Sequence, residues 1–537
     1  MKKNAIILAA GKSNRIAPFT YEKPKGLFCV KGDILIERQI EQLIEAGIDD
    51  IYVIVGYMKE KFFYLEQKYG VHLLVNNNFG EKGNIYSLYI AREFLSNTYI
   101  CCADHYFTDN PFIEQNEDNH SYRACTYIEG KFKEFAVCCS DADVITELSV
   151  GGTDSLAMVG HAYFNERFSV EFRELMSREI NDFGVASMFW EEFFAKHIRE
   201  LTLYKKQFDV NTILEFDNID DLRRFDSEFL LNVDSEIISN ICSVVECTPN
   251  DITDITVINA GLTNVSFAFE ANGLRYVYRH PGGTAGNLTD RKTELFAQTE
   301  AGRRGLDKSY IHMDLSGWKI SHYVSDAKNC CFLDYPEQLR CAIEYINELH
   351  GITPAEGVKV FDDVEEGKRL MHIASATKGN LMLEFADIVS KVEKLYAYVK
   401  EDAKRLGYGL VLCHNDTYEP NFLCDADKRI YLIDWEYAGM NYAANDICCI
   451  TCRYDWTDSQ IEMYFEKYAG HSLSEEERRF YWAFHPICGF YWFCWGLYKG
   501  SMGDDDGFFF LPAYRNLVKY IDRALESYER QDLDKTL

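Results

Sequence analysis

The sequence is short of positive charge. Its 56 Lys and Arg residues stand against 85 Asp and Glu residues, so the formal net charge is -29 at pH 7. A surplus of this sign repels nucleic-acid backbones and anionic lipid surfaces. We therefore expect no nucleic-acid partner, while an acidic surface is compatible with a small cationic substrate.

The sequence also lacks an export signal and an uninterrupted apolar span. The apolar run near its start stops at Gly11 and Lys12, as in a buried first strand and unlike a signal peptide. The most apolar stretch, 480–498, is about as long as a membrane span but contains His485 and Pro486. These features predict a cytoplasmic protein without membrane insertion, in which 480–498 forms a buried helix pair beside a ligand pocket.

Cysteine pairs with metal-site spacing are scarce, although the chain has 18 cysteines. Cysteines spread over a long chain without an export signal are typical of reduced cytoplasmic thiols. Only Cys449 and Cys452 have CxxC spacing, and a structural zinc site needs a second ligand pair. We expect neither a disulfide framework nor structural zinc.

Long repeats, low-complexity tracts and coiled-coil heptads are missing as well. The 537 residues exceed what one hydrophobic core usually serves. An acidic polar stretch at 215–228 precedes a new apolar pattern that begins near Val233. We therefore predict two domains, 1–230 and 231–537.

In the first domain, short β-type runs at 5–9, 51–55, 72–75 and 99–103 alternate with helical patterns. This alternation predicts an α/β fold with a doubly wound, mostly parallel sheet. Ligands bind such sheets at the carboxyl ends of the strands, so we expect chemistry after the first strand and at Asp104, which follows the fourth.

The stretch after the first strand carries small and basic residues suited to a nucleotide. Small residues let backbone N–H groups approach phosphates, and the cations Arg15 and Lys25 can neutralise a triphosphate. It is not a Walker motif, because Ile6 stands where the first glycine would be. We predict catalytic roles for the two cations. The residues expected to contact the nucleotide here are Leu8, Ala10, Gly11 and Ser13.

The order of LAAGxxxR, PxT and PK resembles the sugar-nucleotide and phosphocholine nucleotidyltransferases, and later residues resemble the phosphocholine branch over most of 1–228. The resemblance implies that CTP and phosphocholine are substrates and that Asn84 contacts the nucleotide. It also implies that Asp104 and Asp217 hold Mg²⁺.

Three further residues of this domain are candidates for holding the quaternary ammonium group of phosphocholine. Phe135 and Trp190 offer ring faces for cation–π contacts, and Glu191 offers a charge. The sequence is equally compatible with the alternative that Phe135 and Trp190 are ordinary core residues and Glu191 is an ordinary surface residue.

The second domain carries a phosphoryl-transfer motif, HNDTYEPN at 414–421 followed by IDWE at 433–436. Transfer from ATP needs a carboxylate that orients a hydroxyl and accepts its proton, together with an Asn and an Asp that hold Mg²⁺. We predict Asp416 as the base and Asn421 and Asp434 as the ligands. Because β-like segments precede helical ones, we predict an α+β, two-lobed, kinase-like domain.

This arrangement resembles the choline and ethanolamine kinases over roughly 233–530. The resemblance implies a phosphate-covering loop with Thr263 and Asn264, and a nucleotide-binding Arg279 with Glu294 as its ion-pair partner. It also implies an aromatic pocket for a quaternary ammonium group. The predicted pocket residues are Glu436, Trp492, Trp495 and Tyr498. The alternative is a core helix whose Trp residues only pack.

Together these features predict a bifunctional enzyme that makes CDP-choline. ATP would phosphorylate choline in the second domain, and CTP would donate a cytidylyl group to phosphocholine in the first. Two alternatives stay open: the same chemistry on ethanolamine, another amino alcohol or a phosphonate, and a non-catalytic regulatory role for one half. The oligomeric state is left open by the sequence.

Overall fold

The computed structural model describes residues 2–13, 16–113, 120–258, 264–282, 288–503 and 507–534. The chain divides into two compact units, Met1–Val257 and Ile258–Leu537. The division lies later in the chain than residue 230, the position expected from the sequence.

The first unit is built on a seven-stranded sheet. The strands of this unit are β1 (Asn4–Ala9), β2 (Cys29–Val30), β3 (Asp33–Ile34), β4 (Ile51–Val55), β5 (His72–Val75), β6 (Thr98–Cys102), β7 (His105–Phe107), β8 (Tyr122–Cys139), β9 (Ile145–Phe164), β10 (Tyr204–Gln207) and β11 (Ile213–Glu215). Its α-helices are α1 (Leu35–Glu45), α2 (Tyr64–Tyr69), α3 (Asn84–Ile90), α4 (Glu166–Glu179), α5 (Phe183–Ala186), α6 (Trp190–Lys196), α7 (Ile219–Phe225), α8 (Phe229–Asn232) and α9 (Glu236–Val245).

The strand order of the large sheet is β10-β8-β9-β6-β1-β4-β5. The strands β6, β1, β4 and β5 pair in parallel, as predicted. A long antiparallel hairpin, β8–β9, extends the sheet beyond β6, and β10 pairs in parallel with β8. Buried apolar clusters cover both faces of the parallel strands, which explains why those strands read as continuous apolar runs.

The second unit has smaller sheets followed by long helices, which confirms the predicted sheet-rich lobe and helical lobe. The strand β12 (Thr253–Ile258) spans the division between the units. The other strands are β13 (Asn264–Ala271), β14 (Leu274–Pro281), β15 (Tyr310–Met313), β16 (Lys319–His322), β17 (Lys328–Asn329), β18 (Leu410–Cys413), β19 (Phe422–Cys424), β20 (Ile430–Leu432) and β21 (Gly439–Tyr442). The α-helices are α10 (Arg291–Arg304), α11 (Pro336–His350), α12 (Asp363–Lys378), α13 (Leu381–Glu384), α14 (Ala386–Leu406), α15 (Ala443–Thr451), α16 (Asp458–Ala469), α17 (Glu475–Ser501) and α18 (Gly507–Asp534).

Within this unit β13, β14, β16 and β15 form an antiparallel sheet in that order. Two small antiparallel sheets, β17–β19–β20 and β18–β21, follow it. Both loops of the phosphoryl-transfer motif begin at strands of these small sheets: one follows β18 and the other follows β20.

The prediction of a helix pair at 480–498 is wrong. One helix, α17, runs through Pro486 from Glu475 to Ser501. An internal proline costs about 3 kcal/mol because it removes a backbone hydrogen bond. Nearly every side chain from 480 to 498 is buried, and burial of one large apolar side chain is worth about 1.5–3 kcal/mol, so packing outweighs the proline. Within the described ranges, no helix is long and apolar enough to cross a membrane.

Candidate active sites

The predicted nucleotide loop of the first unit lies at the carboxyl end of β1. The carbonyl of Leu8 accepts from the N–H of Ala103 at 3.0 Å, so the loop starts beside the end of β6. Ser13 has φ +49°, and Gly11 is exposed with open space where a Cβ would stand. Arg15 lies outside the described residues.

Lys25 and Asp104 form a partly buried ion pair at this edge of the sheet. Lys25 Nζ lies 2.8 Å from Asp104 Oδ2, and the lysine side chain is 6% exposed. Burial raises the pKa of Asp104, but the charges of Lys25 and His105 and the hydrogen bond from Lys25 together outweigh this effect and hold the pKa at about 2. A Cβ at Gly26 would stand 2.9 Å from the Cβ of Ala103, so the small residue lets the Lys25 turn sit against the strand end.

A second acidic segment meets Asp104 through β11, which pairs antiparallel with β7. Glu215 lies opposite His105, and their Oε2 and Nε2 atoms are 3.5 Å apart. Burial lowers the pKa of Lys25, but the charges of Asp104, Glu215 and Asp217 raise it above its usual value. The structure therefore brings Asp217 into the electrostatic range of Lys25, and it adds Glu215 and His105, which the motif analysis did not single out.

Asp104 has oxygen, nitrogen and sulfur neighbours that could hold a cation. Ligand atoms of Cys102, Asp104 and His105 all lie within 4.8 Å of one another. The carboxylate and the nearby acids of the β11 segment are hard oxygen ligands of the kind that Mg²⁺ prefers. The donor set thus fits a divalent metal ion.

Three predicted residues of the first unit, Asn84, Trp190 and Glu191, meet around the start of α6. The backbone N–H of Trp190 donates to Asn84 Oδ1 at 2.7 Å. Glu191 Oε1 lies 3.4 Å from Arg123 Nη2, and the Arg123 guanidinium lies 5.6 Å over the Trp190 ring. Burial raises the pKa of Glu191, and Arg123 offsets part of that rise. Phe135 packs against the same apolar cluster that contains Trp190.

In the second unit, Asp446 of α15 holds the loop of the motif at 414–421 in place. The backbone N–H groups of His414 and Asn415 donate to its two carboxylate oxygens at 2.9 and 2.6 Å. The hydroxyl of Thr417 donates to the Asp446 carbonyl. These bonds fix the backbone on both sides of Asp416.

Asp416 is a buried carboxylate with a donor on each oxygen. Its Oδ2 accepts from Asn421 Nδ2 at 2.8 Å, and its Oδ1 accepts from Arg453 Nη2 at 2.6 Å. Burial raises the pKa of Asp416, and the charge of Arg453 counteracts only part of this effect. Arg453 was missed in the sequence because it lies outside both motifs.

Asn421 and Asp434 are brought together by the two loops. The N–H of Ile433 donates to the Asn421 carbonyl at 3.0 Å, which places Asp434 beside the loop at 414–421. Asn421 directs its amide nitrogen at Asp416, so its amide oxygen is the atom that could hold a cation. An amide oxygen and a carboxylate fit a hard divalent ion.

The predicted nucleotide-binding ion pair is present. Arg279 Nη2 lies 2.5 Å from Glu294 Oε1, and Arg279 Nη1 lies 3.7 Å from Asp434 Oδ1. Asn264 Nδ2 donates to Glu436 Oε2 at 2.5 Å. Burial, reinforced by the charge of Asp434, raises the pKa of Glu436 to about 8. Thr263 lies outside the described residues.

The residues predicted to form an aromatic pocket pack around Tyr437, the residue after Glu436. Trp495 Nε1 donates to the Tyr437 hydroxyl at 2.8 Å, and the Trp492 ring is edge-on to the Tyr437 ring at 5.5 Å. The ring centroids of Trp492 and Trp495 are 5.7 Å apart. Tyr498 is fully buried in the apolar cluster that also contains Trp492 and Trp495.

Comparisons with known proteins find a match for each half of the chain. Residues 255–484 match the choline/ethanolamine kinase family, and residues 5–149 match the MobA-like NTP transferase domain. A choline-phosphate cytidylyltransferase of Streptococcus pneumoniae is 34% identical over 228 residues, which are 42% of this chain and 98% of the relative. A 2-aminoethylphosphonate cytidylyltransferase of Lancefieldella rimae is 34% identical over 232 residues, which are 43% of this chain and 94% of the relative. Protein LicA of Haemophilus influenzae is 27% identical over 276 residues, which are 49% of this chain and 78% of the relative.

The matched ranges contain the described catalytic candidates of both units: Lys25 and Asp104 in one, and Asp416, Asn421 and Asp434 in the other. The first relative is covered almost completely by the first unit. The chain therefore belongs to the cytidylyltransferase family represented by the choline-phosphate enzyme, and it joins that transferase to a choline/ethanolamine kinase domain.

Proposed function

We propose that this chain makes CDP-choline in two successive steps, phosphorylation of choline by ATP and cytidylyl transfer from CTP to phosphocholine. One observation carries the proposal: a kinase domain and a cytidylyltransferase domain lie in one chain, and the product of the first reaction is the acceptor of the second. A relative that acts on choline phosphate supports the same acceptor.

In the kinase step, the choline hydroxyl oxygen attacks the γ-phosphorus of ATP. The bond to the departing ADP oxygen breaks, and the hydroxyl proton passes to Asp416. Arg279, paired with Glu294, and the segment around Asn264 would bind the nucleotide. The protein need not form a covalent bond to the substrate, because its main contributions are alignment of the substrates and neutralisation of charge.

The aromatic pocket would bind the trimethylammonium group. Cation–π contacts with Trp492 and Trp495 suit a cation that has no N–H to donate, and they are worth about 2 kcal/mol when desolvated. Tyr498 would back this pocket, and Glu436 would supply its nearby carboxyl group.

In the transferase step, a phosphate oxygen of phosphocholine attacks the α-phosphorus of CTP, and pyrophosphate leaves. No covalent intermediate with the protein is needed. Lys25 and Arg15 would neutralise phosphate charge, while the loop after β1 and Asn84 would seat the nucleotide. Phe135, Trp190 and Glu191 would border the ammonium group.

We expect Mg²⁺ to be held by Asn421 and Asp434 in the kinase unit and by Asp104 and Asp217 in the transferase unit, where it would neutralise charge on the phosphates.

The test is incubation of the purified full chain with choline, ATP, CTP and Mg²⁺, with products identified by mass spectrometry. We expect phosphocholine without CTP and CDP-choline with it. Parallel reactions offer ethanolamine to the kinase and 2-aminoethylphosphonate to the transferase. The phosphonate is included because one relative is named a 2-aminoethylphosphonate cytidylyltransferase. Faster use of either compound than of its choline counterpart would contradict the proposed substrate.

A further inference from the structure

Arg453 is a buried cation inside the kinase site. It is 9% exposed, and its guanidinium carbon lies 3.9 Å over the Tyr418 ring and 3.8 Å over the Trp492 ring. Its Nη2 also donates to Asp416 Oδ1 at 2.6 Å. One side chain thus joins the proposed base to the proposed ammonium pocket.

The position of Arg453 conflicts with simultaneous binding of an ammonium group at the same ring face. A cation gains from an aromatic ring only when it lies within about 6 Å of the centroid. The guanidinium already occupies that position on Trp492, and a second positive charge would meet it at contact distance in a region screened little by water. The acceptor and Arg453 therefore compete for Trp492.

Arg453 also holds the base. With Arg453 on Oδ1 and Asn421 on Oδ2, both oxygens of Asp416 already accept hydrogen bonds. The bond from Arg453 is charge-assisted, so it draws electron density from the carboxylate that must accept the hydroxyl proton. Removal of Arg453 from Trp492 would also weaken its hold on Asp416.

We propose that Arg453 is a displaceable internal cation: it occupies Trp492 and restrains Asp416 until the acceptor's ammonium group takes its place. This inference rests on the proposed kinase function. It makes Arg453 a positioning residue that couples acceptor binding to release of the base. A consequence is that water is a poor acceptor in the unliganded enzyme, because Asp416 is restrained when no ammonium group is bound.

Tetramethylammonium tests the wild-type chain directly. This ion carries the cationic methyl cluster of choline but no hydroxyl, so it should displace Arg453 and leave room for water. Water oxygen would then attack the γ-phosphorus, its proton would pass to Asp416, and ADP would leave. We expect ATP hydrolysis without choline to rise about tenfold on saturation with the ion, as for a competent state that is mainly unpopulated beforehand. Inhibition of choline phosphorylation by the ion with no rise in hydrolysis would overturn the inference.

Arg453→Gln in the full chain provides the second test. Without the internal cation, we expect hydrolysis without choline to rise about tenfold and the KM for choline to fall several-fold, while the KM for ATP is unchanged. Tetramethylammonium should then give no further stimulation. Arg453→Lys, which keeps a positive charge, should restore low hydrolysis. A raised KM for choline, or loss of both reactions in the Gln and Lys variants, would contradict a displaceable role.

Arg479 offers a matched control outside the site. Its side chain is also only 9% exposed, with Nη2 2.9 Å from Asp402 Oδ2 and its guanidinium 4.8 Å over the Tyr528 ring. Arg479→Gln should lower stability without changing hydrolysis or the KM for choline; a change as large as that in Arg453→Gln would overturn the inference. A wild-type chain that does not phosphorylate choline would overturn the proposed function itself, whereas an active wild type without the tetramethylammonium effect would overturn only the role of Arg453.

Discussion

Two of the carboxylates proposed for phosphate chemistry, Asp104 and Asp416, have pKa values that are shifted in opposite directions. Asp104 is half-buried, and the charges of Lys25 and His105 together with the hydrogen bond from Lys25 outweigh the loss of hydration and hold the pKa of the carboxyl at about 2. Asp416 is buried, and its pKa is raised because Arg453 only partly offsets the loss of hydration. A metal ligand must stay charged, whereas a base must accept a proton, so each environment suits its proposed role.

Asparagine substitutions should separate the two reactions. Asp416→Asn keeps the side-chain shape but removes the proton acceptor, so choline phosphorylation should fall by about 10²–10⁴-fold. Cytidylyl transfer to supplied phosphocholine should be unchanged. Asp104→Asn should abolish the transferase and spare the kinase, as measured by separate product assays. Loss of both activities in either variant, with an unchanged circular dichroism spectrum, would count against independent sites.

The aromatic pocket should favour a quaternary over a primary ammonium. A primary ammonium must replace up to three hydrogen bonds to water, which ring faces cannot supply, at about 1–3 kcal/mol for each unsatisfied group. Choline should exceed ethanolamine in kcat/KM by about tenfold or more. Trp495→Ala should erase most of that preference without changing the KM for ATP.

Trp482 is the control for this prediction, because it lies on the same helix and donates to Glu462 Oε2 instead of Tyr437. Trp482→Ala should leave the choline preference intact. Equal kcat/KM values of the wild type for choline and ethanolamine would contradict the proposed selectivity of the ring faces.

At the scale of elements, the parallel strands were predictable and the β8–β9 hairpin was not. The strands β1, β4, β5 and β6 are short apolar runs between helical patterns. The hairpin is irregular: its register shifts several times, and Gly130, Gly151 and Gly160 adopt positive φ. Such bulges break the alternation of apolar and polar residues by which strands are recognised in a sequence.

The same contrast holds for the candidate sites. Asp416, Asn421 and Asp434 lie in two short motifs, so their spacing alone predicts a common site. Arg453 meets Asp416 only through tertiary packing, as Arg123 meets Glu191. Contacts of this kind leave no local pattern in the sequence, because an arginine outside a motif is most often a surface residue.

Gly83 fixes the junction between α3 and the segment before α6. A Cβ at this position would stand 2.0 Å from the Met188 carbonyl oxygen. Gly83→Ala must therefore displace backbone beside the Asn84–Trp190 contact, at a cost of about 1–3 kcal/mol. We expect a lower melting temperature and weaker CTP use, with choline phosphorylation unchanged. Gly80→Ala, where nothing lies within 4 Å of the added Cβ, should change neither property; equal effects of the two variants would contradict the packing argument.

Asp363, at the start of α12, should make stability depend on pH. Its Oδ2 accepts from Asn441 Nδ2 at 2.9 Å, and burial raises its pKa to about 8. In the unfolded chain the carboxyl ionises near its ordinary value of about 3.9. Between these values the folded state binds more protons, so stability should fall as pH rises, by at most about 1.4 kcal/mol per pH unit.

Asp363→Asn removes this titration. The melting temperature of the variant minus that of the wild type should increase from about pH 5 to pH 8, as measured by calorimetry. A difference between the two proteins that does not change with pH would show that Asp363 is ionised in the folded state.

At the scale of the whole molecule, the sequence and the structure place the end of the transferase domain at different residues. The acidic stretch at 215–228 suggested a boundary at residue 230, yet α9 belongs to the first compact unit. Glu22 accepts from the Ser235 hydroxyl at 2.5 Å and from the Ile237 N–H at 3.0 Å. Lys23 Nζ donates to the Val233 carbonyl at 2.7 Å. We propose that the transferase domain extends to residue 257.

Fragments that end at residues 230 and 257 should therefore behave differently. The shorter fragment loses α9, whose Ile237, Ile238 and Ile241 are buried, and each such side chain contributes about 1.5–3 kcal/mol. It also leaves the carboxylate of Glu22 without the two donors that the longer fragment keeps. Since 1 kcal/mol shifts the melting temperature by about 2–4 °C in a chain of this size, the fragment 1–257 should melt at least about 5 °C higher. It should also hold the full cytidylyltransferase activity, whereas 1–230 should lose activity on mild heating. Equal melting temperatures and equal activities would place the boundary at residue 230 and make α9 part of the linker.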